Sequence, residues 1–174
     1  MSSQLEVCLA YQDLPTGLLA RRFLSDLLNH SQVGNEFSLS LWNVSMFHLP
    51  EIRDEAALNA SKADLVILSL RGDGALERDT ENWLTQWITL RTADECALAV
   101  LIHHDMQVTD AVGHTLFWLQ QITRPTQVRL FLGFMPPAIA EPPSQPGSLP
   151  GSPLFETEIF PNPLDIHPEG GLND

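Results

Sequence analysis

Four short polar stretches of this chain hold side chains able to do chemistry, and each directly follows an apolar run. Gln12, Asp13, Thr16 and Gly17 follow "LEVCLAY"; Ser69, Arg71 and Asp73 follow "ADLVIL"; His103, His104 and Asp105 follow "CALAVLI"; Met135 and Pro136 follow "QVRLFLGF". Imidazole and carboxylate groups brought to one place could hold a divalent cation or act as an acid–base pair. Arg71 could hold an anion, and a Thr-Gly pair ahead of a helix could offer free N–H groups to a phosphate. Each feature also has a plainer reading. Asp73, close to a helix start, caps backbone N–H groups; Thr16 does the same one helix earlier; Arg71 pairs with a carboxylate; a strand-end histidine hydrogen-bonds a loop. Adjacent strand residues point to opposite faces, so His103 and His104 cannot both enter one site while the strand stays regular. The sequence contains no Gly-x-Ser-x-Gly, Walker loop, dinucleotide glycine fingerprint or His-Glu-x-x-His.

The elements that must position these residues are legible from period. Short runs rich in Val, Leu, Ile and Phe alternate with longer segments of helical spacing through the first 135 residues, which is the pattern of β-α-β units on a parallel sheet. Strands are expected at Leu5–Tyr11, across "FSLSLWNV", across the run ending near Ser69, at Cys96–His104 and at Gln127–Phe134. Helices are expected at about 17–29, 50–63, 77–91 and 110–123. The strict Ser alternation of "FSLSLWNV" suits an edge strand, whereas the two nearly unbroken apolar runs suit central strands covered on both faces. The result is a three-layer, doubly wound, five-stranded parallel sheet in the order 2-1-3-4-5, spanning residues 1–135. In such sheets ligands bind beyond the carboxyl ends of the strands, which is where all four polar stretches fall. Trp83 and Trp87 lie four apart on one helical face, which means packing against the sheet; any surplus over what the sheet covers would be a candidate dimer or partner surface.

From Pro136 the composition changes: ten of the 13 prolines lie there and no Lys or Arg. Residues 136–174 are read as an acidic, Pro/Gly/Ser-rich tail, largely extended or disordered. The net charge of −13 and isoelectric point near 4.6 argue against nucleic acid and anionic membrane surfaces as partners. No segment approaches the roughly 18–20 apolar residues of a membrane span, and the N-terminus has no secretory leader, so a cytoplasmic protein is expected. Cys8 and Cys96 sit in separate strands without metal-site spacing and read as reduced core thiols.

Over residues 5 to about 136 the chain resembles the response-regulator receiver family and, more broadly, the flavodoxin-like fold. The resemblance implies an acidic pair after the first strand, a phosphoacceptor aspartate closing the third, a Thr or Ser after the fourth and a Lys-Pro after the fifth. At those places stand Gln12-Asp13, Ser69 in "DLVILS", the segment "IHHD", and Met135-Pro136. The acceptor and the lysine are therefore missing, which implies a degenerate receiver that works as a regulatory or protein-interaction module without a cofactor, through a protein partner or as a homodimer. "DLPTGLLA" is similar, in Thr16 and Gly17 only, to the phosphate loop of flavodoxins, which would imply FMN binding in an oxidoreductase accessory. A metal-dependent hydrolase built on Asp13 with His103 or His104 ranks third. The stretch from Ile67 through the tryptophan helix also resembles small uncharacterised bacterial proteins of receiver-like shape, with no activity attached.

Overall fold

The computed structural model describes residues 4–31, 36–72, 75–92, 94–103 and 109–135. The chain divides into two compact units, Met1–Ala138 and Ile139–Asp174. All described residues belong to the first, so the expected extended tail, and with it Asp73, His104 and Asp105, lies outside them.

Five strands and four helices alternate: β1 (Leu5–Tyr11), α1 (Leu14–His30), β2 (Phe37–Asn43), a single 3-10 turn (Val44–Met46), α2 (Pro50–Ala60), β3 (Leu65–Arg71), α3 (Arg78–Leu90), β4 (Cys96–His103), α4 (Asp110–Thr123) and β5 (Val128–Met135). The sheet is entirely parallel, in the order β2-β1-β3-β4-β5. That order, with helices on both faces, is the flavodoxin-like α/β topology. The apolar runs become β3 and β4, central and adjacent, and the serine-alternating run becomes the edge strand β2, as each pattern demands.

Alternate residues of each strand feed two cores. Cys8, Ala10, Val66, Leu68, Leu98, Val100 and Ile102 pack with Ala56, Ala57 and Ala60 of α2, Trp83, Leu84 and Trp87 of α3 and Val112 and Leu119 of α4. On the other face Val7, Leu9, Ile67, Ala99 and Leu101 meet Ala20 and Leu24 of α1. Among the described residues α1 is the one helix on that face. The small alanine face of α2 lets α3 approach closely, and the gap is filled by indoles: Phe47 lies 5.1 Å from Trp83, and Trp83 6.4 Å from Trp87 between ring centroids. Trp87 Nε1–H donates to the Ala60 carbonyl at 2.9 Å. Both tryptophans are fully buried. The stripe on α3 is thus consumed by the core, and Trp83 and Trp87 do not form the interaction surface that a surplus would have provided.

Candidate functional site

Two residues, Gln12 and Asp13, connect β1 to α1, and they bring that helix down onto the crest of the sheet. Asp13 is the N-cap: its Oδ1 accepts the Thr16 N–H at 2.9 Å, while the Thr16 hydroxyl accepts the Asp13 N–H at 3.0 Å. This reciprocal capping box starts α1 at Leu14, three residues before the expected start, and corrects the reading of Thr16 as the cap. The cause is that Asp13 and Thr16 are both cap-forming types, and Pro15, without an N–H, is well tolerated in the first turn. Gly17 N–H already donates to the Asp13 carbonyl at 2.9 Å. Among the described residues, Leu14 therefore has the single uncommitted first-turn amide, where a phosphate cradle needs several. Gly17 is glycine for packing: a Cβ there would stand 3.0 Å from the Tyr11 ring.

The rest of the site comes from β3 and β4. Ser69, fully buried, lies 2.8 Å from the Thr16 carbonyl oxygen and 2.7 Å from His103 Nε2. Two oxygens 2.8 Å apart repel unless a proton lies between them, so the hydroxyl donates to the Thr16 carbonyl. It then has only lone pairs for the imidazole, which must donate from Nε2–H. His103 is held neutral in that tautomer, with the lone pair of Nδ1 buried and, among the described residues, lacking a hydrogen-bond partner. Burial pushes the His103 pKa below its usual value, an effect that the nearby Asp13 carboxylate opposes but does not cancel.

Above this pair the backbone and side chains of the two loops are tied together. Gln12 N–H donates to the Ser69 carbonyl at 3.1 Å, and Arg71 N–H donates to Gln12 Oε1 at 2.9 Å. The exposed guanidinium of Arg71 donates from Nε to Asp13 Oδ2. Partial burial alone would raise the Asp13 carboxyl; the hydrogen bonds from Thr16 and the Arg71 charge outweigh it and hold the pKa below the ordinary carboxylate value. Met135 is the register partner of His103 on β5 and packs against the smaller core.

Asp13, Thr16, Gly17, Ser69, Arg71, His103 and Met135 are thus gathered at the carboxyl ends of four strands, where the sequence placed them. Gln12, named with them in the loop after β1, joins the same cluster through Ser69 and Arg71, and the Tyr11 ring against Gly17 shapes it as well. Asp73, read from the sequence as a cap for the third helix, lies outside the described residues; the N-cap position of α3 is Glu77, which makes no side-chain cap bond. His104 and Asp105 likewise lie outside the described residues. Among the described residues no three His, Cys, Asp or Glu side chains converge as a metal-ligand group, and none of the helices is long and apolar enough to cross a membrane.

What the arrangement does chemically is satisfy itself. Asp13 is spent on a helix cap and an arginine, Ser69 on a carbonyl and an imidazole, and Gln12 on the neighbouring strand. Fold and site define a flavodoxin-like α/β domain with a hydrogen-bonded crest. No protein-family model matches the chain, and no curated protein matches it.

Proposed function

We propose that this chain is a receiver-like regulatory or protein-interaction module without phosphoryl chemistry, acting through a protein partner or through self-association. One observation carries the reading: Ser69, two residues before the end of β3 and at the position that the sequence pattern matches to a receiver's acceptor aspartate, is fully buried and bonded to Thr16 and His103. A hydroxyl so placed is neither charged nor reachable by a phosphodonor. The one described carboxylate beside it, Asp13, is neutralised by Arg71, and a lone engaged carboxylate is a poor Mg²⁺ ligand set. The FMN alternative draws no support from α1, whose first turn leaves only the Leu14 amide uncommitted among the described residues.

The test is direct. The full chain is incubated with acetyl phosphate and Mg²⁺, and acid-labile phosphate is measured on the protein. None is expected, with or without Arg71→Ala to release Asp13. Stoichiometric, hydroxylamine-sensitive phosphate on the unmodified chain would overturn the reading, as would purification with bound flavin.

A further inference from the structure

We infer that β5 is a self-association edge, which pairs antiparallel with β5 of a second copy about a two-fold axis through Phe131. The inference deepens the reading above, on which it rests for the claim that this chain works through contacts.

β5 ends the sheet: β4 pairs along one side of it, in register from Cys96–Val128 to His103–Met135, and no other described strand pairs with it. Free edges are normally blunted by prolines, bulges or inward charges. β5 has none of these along its eight residues except Arg129 near its start. It instead exposes large apolar groups on both faces, with Phe131 56%, Leu132 38% and Phe134 50% accessible. A surface cavity of about 500 Å³ lined by Leu5, Asp64, Glu95, Ala97, Arg129 and Phe131, among others, opens beside its start.

An apolar, self-complementary edge selects a second copy as the occupant, and charge restricts where two copies can meet. The first 135 residues carry 16 acids against nine bases, so two copies repel over most of their surface. β5 carries no acid, and its one charge is positive, 4.0 Å from Glu95. A two-fold axis at Phe131 places Leu130 opposite Leu132, Val128 opposite Phe134 and Arg129 opposite Gly133. Every large group then meets an apolar partner, and the two arginines are kept apart. The area agrees with a reversible contact: three half-exposed side chains a copy plus the peptide edge bury on the order of 800 Å² in total, below the roughly 1,200 Å² at which stable complexes begin.

The experiment uses the full chain. Sedimentation velocity from micromolar to millimolar concentration is expected to show a reversible monomer–dimer equilibrium, shifted at least tenfold toward monomer by Leu132→Lys. In the inferred register the two Phe131 Cα atoms lie about 4.5–5.5 Å apart, inside the roughly 4.4–6.8 Å span of a disulfide. Phe131→Cys should therefore give a covalent dimer under mild oxidation, whereas Phe117→Cys on α4, at 63% exposure, should not. The native thiols give little background: burial pushes Cys8 up to about 12 and Cys96 up to about 11. A chain that stays monomeric to millimolar concentration, or cross-links equally well at 117, overturns the inference. So does a monomer whose β5 edge amides are protected from hydrogen exchange, because the edge would then be covered within the chain. Phosphate uptake by a chain that still cross-links at 131 would sink the regulatory reading and leave the edge standing.

Discussion

Ser69 joins three elements through one hydroxyl: it belongs to β3, donates to α1 and accepts from β4. Ser69→Ala leaves a buried imidazole N–H without its acceptor and should cost about 1–3 kcal/mol of stability, measured by urea unfolding. A cost near zero would mean that the hydroxyl is not holding the crest. His103 makes a pH prediction. Its folded pKa lies below the ordinary value, so above about 6.5 both folded and unfolded chains are neutral there and nothing is lost. As pH falls through that value the unfolded chain takes up a proton that the folded site refuses, and stability declines until the lowered folded pKa is reached. His103→Gln, whose amide can still donate to Ser69, should flatten the decline that begins as pH falls through about 6.5. Asp13, also depressed, contributes in a separate window: its stabilisation is present above the ordinary carboxylate value and is lost as pH falls through its lowered one. Ser69 was readable as a β3 residue near the crest because the apolar run counts it off, although the strand continues two residues further, to Arg71. Its bond to His103 was not, because that bond spans 34 positions and depends on a register between β3 and β4 that neither strand encodes alone.

At the scale of elements, two helical glycines should behave oppositely. A Cβ at Gly17 meets Tyr11 at 3.0 Å, whereas one at Gly113 in α4 meets nothing among the described residues within 4 Å. Gly113→Ala should stabilise by roughly 0.5–1 kcal/mol, through helix propensity and a less flexible unfolded chain. Gly17→Ala should destabilise by about 1–3 kcal/mol through overpacking, because the β1 end and the α1 start have no room to part. Paired thermal melts decide it, and equal shifts would show that Tyr11 simply turns aside. The strands were legible because apolar runs and a serine alternation have no helical alternative of the same length. The start of α1 was not, since "DLPT" offers two capping residues and only geometry chooses Asp13. The tryptophan stripe was legible as apolar, but whether it was surplus depended on the small alanine face of α2, a property of a different segment.

For the whole molecule, electrostatics opposes the association assigned to β5. A net charge of −13 repels a second copy at long range, and screening shortens that reach from about 30 Å at 0.01 M salt to about 10 Å at 0.1 M. Dimerisation should therefore strengthen as salt rises over this range in sedimentation equilibrium. Weakening would mean that ion pairs, rather than an apolar edge, hold the copies together. Composition made the total charge plain, but its sparse distribution on one edge strand emerged only once the strand order was known.

The closeness of Trp83 and Trp87, with planes only 20° apart, has an optical consequence. Two indoles so arranged absorb as coupled chromophores, and their surroundings are fixed while α3 lies packed on the sheet beside α2. The coupled part of the near-ultraviolet circular dichroism, set apart from Trp42 and Trp118 in other elements, is accordingly a signature of that packing interface, supplied by the molecule itself without a label.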